Sequence, residues 1–174
     1  MNSMTGISST SQHQPRQNAG FSLLELLTTL TVLGIALAIA VPNFSQLIAG
    51  QKNRTVASDV FGSTIVARSE AIKRNTTISM VRSGTDWANG WTVQTSGGTV
   101  LQRQDPYTNM VINGPGSGTV TYGWNGRPTA GSVNASFTIY ASSYPTLPAR
   151  CLILSLSGMP QLKADTDGNP ANGC

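Results

Sequence analysis

The chain has 174 residues, the length of one domain with an extension, and only 10% of them are Asp, Glu, Lys or Arg, against ~25% in an average soluble domain. Its formal charge of +4 is too small an excess to specify a nucleic-acid binder. The one histidine, His13, lies in a polar N-terminal stretch, so the rest of the chain cannot form Ser-His-Asp or Cys-His catalytic groups and lacks the commonest zinc ligand.

In chain order, residues 1–20 are polar, with one cation (Arg16), no anion and no apolar stretch of their own. Residues 21–41 then form an apolar run of 21 residues, close to the ~20 that cross a bilayer as a helix. An ordinary secretory signal loses its apolar part at the cut; here the polar part would leave and the apolar part stay. Arg16 on the leader side keeps residues 1–20 cytoplasmic and sends the C-terminal part outward.

Residues 51–75 change to an amphipathic helix. Val56, Val60, Phe61, Ile65 and Ile72 share one broad face, and charged residues take the remainder. Glu70 and Arg74 are spaced for an i, i+4 ion pair. Only Pro42 and Gly50 interrupt the pattern, so a single helix over 22–74 is expected, roughly 80 Å long at 1.5 Å per residue. The densest basic group, Arg68, Lys73, Arg74 and Arg82, reads as a solvated face, with a docking surface for DNA or an acidic partner as the alternative.

Beyond it, seven short β-rich segments (76–82, 90–95, 99–103, 109–114, 118–124, 136–142 and 150–157) are separated by Gly, Pro or Asn clusters. A sheet packed on the apolar face of helix 51–75 buries both. Trp87, Trp91 and Trp124 are expected in core and hairpin packing. Cys151 and Cys174 are the only cysteines. In an exported chain they favour a disulfide worth roughly 3 kcal/mol; two free thiols are the alternative. Asp165, Asp167 and Asn169 resemble the first half of a calcium loop. No bidentate Glu follows, so an Asp-Gly turn is the favoured reading.

The leader and the apolar run together carry a resemblance. Gly20-Phe21-Ser22-Leu23-Leu24-Glu25-Leu26-Leu27, followed by uncharged residues, resembles the type IV prepilin signal position by position. The resemblance implies cleavage between Gly20 and Phe21 by a prepilin peptidase/methyltransferase, and N-methylation of Phe21. Gly34 and Pro42 stand where pilins have a glycine and a proline, between which the helix is unwound in assembled filaments. A lone Glu25 in lipid costs a few kcal/mol, and no Lys or Arg occurs between Phe21 and Gln51. Its only cationic partner would be a Phe21 α-amino group, of its own subunit or a neighbour, which makes Glu25 the candidate register residue of assembly.

Tyr122-Gly-Trp-Asn-Gly126-Arg127-Pro-Thr129 and the later Ser155-Leu-Ser-Gly158 resemble the GspH/FimT/FimU group of minor pilins and pseudopilins. That group implies an α+β pilin fold: a leader (1–20), an apolar assembly helix (21–48), its amphipathic half (49–75) and a β-rich head (76–174) with a C-terminal disulfide loop. Some FimT-type members carry a basic tail that binds DNA. Here residues 158–163 hold one basic residue, Lys163, a poor phosphate-binding cluster. The expectation is therefore a non-enzymatic structural minor pilin, without cofactor, anchored in the inner membrane with its head in the periplasm and then built into a pilus. The alternatives are a DNA-binding minor pilin and a minor pseudopilin of a type II secretion system. Expected partners are other minor and major pilins or pseudopilins, the prepilin peptidase/methyltransferase and inner-membrane lipid.

Overall fold

The helix expected over 22–74 is present in the computed structural model as α1, Leu23–Arg74, 52 residues long. The structure describes residues 20–165 and 169, without the side chain of Pro42. The Leu26 N–H donates to the Ser22 carbonyl at 3.1 Å, which places Ser22 at the N-cap and Glu25 three residues on, the spacing of a capping box. Glu25 in the first turn and Lys73 and Arg74 in the last each complement the helix dipole. The helix stops where Asn75 turns left-handed (φ 51°) and the Thr76 N–H reaches back to the Ala71 carbonyl at 3.2 Å, a Schellman-type end.

The chain divides into two units between Ala40 and Val41. Among its described residues, the first consists of the apolar start of α1, whose side chains are exposed throughout. Its threonines are made compatible with apolar surroundings locally: Thr28, Thr29 and Thr31 donate to the carbonyls of Glu25, Leu26 and Leu27 at 2.8–2.9 Å.

The second unit holds the rest of α1 and, among the described residues, eight strands. The sheet order β3-β2-β1-β5 joins Val100–Gln104, Trp91–Thr95, Ile78–Arg82 and Thr119–Tyr122; the order β4-β6-β7-β8 joins Met110–Asn113, Ser136–Ala141, Arg150–Leu154 and Pro160–Ala164. Neighbouring strands are antiparallel throughout. All seven expected segments are strands. They make two sheets where one was expected, because β-propensity marks a strand but not its partner. The eighth strand was not foreseen. It opens on Pro160, has Leu162 as its only large aliphatic residue, and lies at a sheet edge, where a proline lacking an N–H is tolerated.

Alternation supplies the core. Ile78, Met80, Trp91, Val93, Val120 and Tyr122 from the first sheet meet Ile112, Phe137, Ile139, Leu152 and Leu154 from the second in one buried cluster with α1. The buried residues of α1 are Ala49, Asn53, Val56, Ala57, Val60, Ser63, Thr64, Ala67 and Ala71, in steps of one, three and four. Val56 and Val60 were expected there. Phe61 and Ile65 are only half-buried, and Ile72 is 50% exposed. Small side chains let the helix backbone come close to the sheets, and the larger ones stand at the flanks.

Trp87, on a short 3-10 turn before β2, links the sheets. Its ring lies 4.9 Å edge-on from Phe137 of β6 and 6.5 Å from Trp91 of β2, and its Nε1 donates to the Pro115 carbonyl at 3.3 Å. Trp87 and Trp91 are core residues as expected, but Trp124 is 63% exposed. It occupies the tip of a tight loop whose ends are bonded to each other, so its ring has no core to enter.

Candidate assembly site

At the N-terminal end, Gly20, Phe21 and Glu25 are all exposed. So is the apolar surface that follows them, from Phe21 (82% exposed) to Ile48 (52%). No cation pairs with Glu25 among the described residues, whose only ion pairs are those of Glu70. Among the described residues a single copy thus leaves a mostly apolar helix surface uncovered, suited to lipid or to other apolar helices. The helix runs without interruption through Gly34 and Pro42. A Cβ at Gly34 would meet open space, so no contact among the described residues requires glycine there.

In the head, the two motifs that carried the family resemblance meet. The first makes a tight loop: the Gly126 N–H donates to the Gly123 carbonyl at 2.8 Å, and the Gly123 N–H to the Arg127 carbonyl at 2.9 Å. Tyr122 bridges Pro128 across its base. The second makes the turn into β8, with the Gly158 N–H on the Ser155 carbonyl at 2.9 Å. Gly126 (φ 71°) and Gly158 (φ 82°) are both left-handed. A Cβ on Gly158 would lie 2.1 Å from the Gly126 carbonyl oxygen, and one on Gly126 would lie 2.6 Å from Ile72 Cδ1. The two turns are therefore stacked backbone on backbone against α1.

Arg68 fastens this junction. Its Nε donates to the Gly126 carbonyl at 3.0 Å, and an outer guanidinium nitrogen lies 3.2 Å from Met159 Sδ. From below, the Tyr122 hydroxyl donates to the Gly158 carbonyl at 3.4 Å. The basic group noted in the sequence is thus largely committed within the chain. Arg68 holds the turns, Arg74 and Lys73 pair with Glu70 at 2.5 and 3.4 Å, and the Arg82 side chain lies along Gly118. The Arg74 hydrogen bond holds the Glu70 carboxyl below the usual range. Sequence reasoning missed the role of Arg68; a cation at the end of a buried, small-residue face was the available signal. Around the junction Trp124, Leu156, Met159 and Ile72 are exposed, an apolar surface at the turn tips.

Cys151 is buried on β7, while Cys174 lies outside the described residues. Asp165 follows β8, half-buried, with its N–H on the Ala149 carbonyl at 2.9 Å; Asp167 is outside the described residues. Lys163 is exposed on β8.

Two family models match the chain. That of GspH, a type II transport protein, covers residues 56–158, a span that contains both stacked turns. That of the prokaryotic N-terminal methylation motif covers residues 15–41. No curated protein matches. Among solved structures, the type IV minor pilin FimU of Pseudomonas aeruginosa (strain PAO1) is similar in two crystal forms. One is 22% identical with a TM-score of 0.58, over 67% of this chain and 94% of FimU. The other is 23% identical with a TM-score of 0.55, over 65% and 97%. The expected α+β pilin fold, a long helix on antiparallel sheets, is thereby established.

The turn junction predicts the cost of a single methyl group. Gly158→Ala should destabilise the head by about 2–4 kcal/mol in urea denaturation, through backbone overlap and a strained φ. Gly131→Ala, in open space, should stay within about 0.5 kcal/mol of the parent. Alkali gives a second check. Burial pushes the Tyr122 phenol up to about 12. Burial and the 2.6 Å hydrogen bond to Asp59 also hold Tyr107 above its usual value. Both folded values exceed the unfolded one of ~10, so this stability is fully present below pH ~10 and is lost as pH rises toward 12. Denaturation across that window should show the decline, shallower in Tyr122→Phe; a flat profile contradicts it.

Proposed function

The chain belongs to the GspH family, and from that premise we propose that it is a structural minor pilin of a type IV pilus, incorporated through its N-terminal helix into the initiation or tip complex. It is a non-enzymatic structural subunit of the pilin and pseudopilin class. The methylation motif implies processing by a prepilin peptidase, and the family implies other pilins as partners. The apolar N-terminal helix assigns it to the inner membrane and then to the filament.

The observation that carries the proposal is the apolar surface of residues 21–48, uncovered along its length in a chain whose head already has its own core. Covering it with other pilin helices drives incorporation. In this reading the peptidase cuts between Gly20 and Phe21 and the new Phe21 amine is methylated. Glu25 pairs with a Phe21 amine, its own or a neighbour's, and thereby sets axial register. Its place in the first turn of α1 supports this: the helix N-terminus offsets part of the charge while the subunit waits in lipid. Gly34 and Pro42 then act as the points between which the assembled helix unwinds. Cys151 and Cys174 form a disulfide that ties the C-terminus to β7. That GspH is a type II transport protein favours a second reading, a minor pseudopilin of a type II secretion system, which differs in its neighbours and not in its physics. DNA uptake draws less support, because Arg68, Lys73 and Arg74 are engaged within the chain.

Glu25→Ala should insert into membranes as the parent does but enter filaments severalfold less, read by immunoblot of sheared pili against membrane fractions; parental incorporation sinks the register role. For the cysteines, thiol labelling of the denatured, unreduced protein should mark none, and reduction should lower head stability by roughly 3 kcal/mol. Labelling of both refutes the disulfide.

A further inference from the structure

The stacked turns carry an apolar surface that the head leaves exposed. Trp124 and Leu156 are each the second residue of a four-residue turn, Gly123 to Gly126 and Ser155 to Gly158. Gly158 packs on the Gly126 carbonyl, so the two turns stand side by side although they are far apart in the chain. Ile72 reaches Gly126 from α1, and Met159 Sδ lies on the Arg68 guanidinium between them. Leu156 is 68% exposed, and Trp124, Ile72 and Met159 are exposed with it. The backbone beneath them is fixed. The Asn125 side chain accepts from the Arg127 N–H at 3.0 Å, the Ser155 and Ser157 hydroxyls bond each other at 2.8 Å, and Arg68 ties the turns to the helix. Side chains mounted on a fixed backbone lose less freedom on docking. An apolar centre with a Trp and a Met, and a polar rim of Asn125, Ser157 and Arg127, is the make-up of a protein interface.

We infer that this surface docks on the head of a neighbouring pilin, with Trp124 as its anchor. Its size selects a tethered partner. Four side chains, none of them fully exposed, offer a few hundred Å², below the ~800 Å² per partner of a stable free-standing interface. A contact that small holds when the partner is already kept alongside at high effective concentration, as it is for subunits joined through their N-terminal helices. Its chemistry selects an apolar partner surface, because the guanidinium at its centre, that of Arg68, is committed to the Gly126 carbonyl. Symmetry selects a surface unlike itself. Subunits of a polar helical assembly are related by a screw and not by a two-fold axis, so this patch meets a different face of its neighbour.

This contact rests on the pilin assembly proposed above, and two measurements on the full-length chain in its native host separate them. Trp124→Ala/Leu156→Ala should reach the membrane at the parental level, keep the parental urea midpoint in detergent, and enter sheared filaments about tenfold less. Val100→Ala, at an exposed apolar position on β3, should assemble as the parent does. With photoreactive p-benzoylphenylalanine replacing Leu156, irradiated filaments should yield an adduct whose partner peptide comes from the head of another pilin subunit. Parental incorporation of the double variant overturns the inference while the pilin reading stands. An adduct with phospholipid assigns the patch to a membrane surface and overturns it as well. So does an adduct with the same turns of a second copy, which would make the contact a two-fold dimer. Should the double variant lose stability, the adduct decides alone, and filaments that give no pilin-head adduct overturn the inference. A parent chain absent from filaments overturns the pilin reading, and this inference with it.

Discussion

Helix α1 must satisfy two environments with one continuous backbone, and the structure follows from how its side chains divide that task. Up to Ile48 the helix is mostly apolar, interrupted by Glu25, Asn43 and Gln46, with hydroxyls folded back onto its own carbonyls. From Asn53 to Ala71 it carries a narrow buried face of small residues. Among the described residues the first arrangement is left exposed and the second packs against the sheets. A helix with a broad face of large residues after Gly50 would hold the sheets further away. The turn junction could not then form, since Arg68 and Ile72 reach its backbone only at close range.

That junction shows how a short sequence pattern acquires a physical meaning. Two glycines 32 positions apart in the chain (126 and 158) each have a left-handed φ, and a Cβ on Gly158 would meet the Gly126 carbonyl while one on Gly126 would meet the Ile72 side chain. A half-buried arginine and a buried tyrosine hydroxyl bind their carbonyls. The consequence for function is negative and useful. A basic helix end that looks suited to an acidic ligand is spent on internal bonds, and the exposed surface there is apolar. Head-to-head contact within an assembly suits that surface better than phosphate does.

Much was legible in the sequence because the deciding features are local. Helix limits, the apolar run, the position of Glu25 and seven strands each depend on neighbours within a few residues, through periodicity, capping and turn chemistry. Strand β8 escaped because Pro160-Gln-Leu-Lys-Ala has little β signal of its own; it exists because β7 offers it a paired edge. Ile72 was misplaced on the buried face because hydrophobicity ranks it above Ala67 and Ala71, whereas close packing ranks it below them.

Contiguous residues are enough to specify an apolar helix with a methylation motif joined to a β-rich head, since composition, period and motif are local properties. The split into two sheets bridged by Trp87 and the stacking of Gly158 on Gly126 came from packing. Each of these joins residues far apart in the chain. Such contacts are set by which surfaces pack together, and no local pattern encodes that.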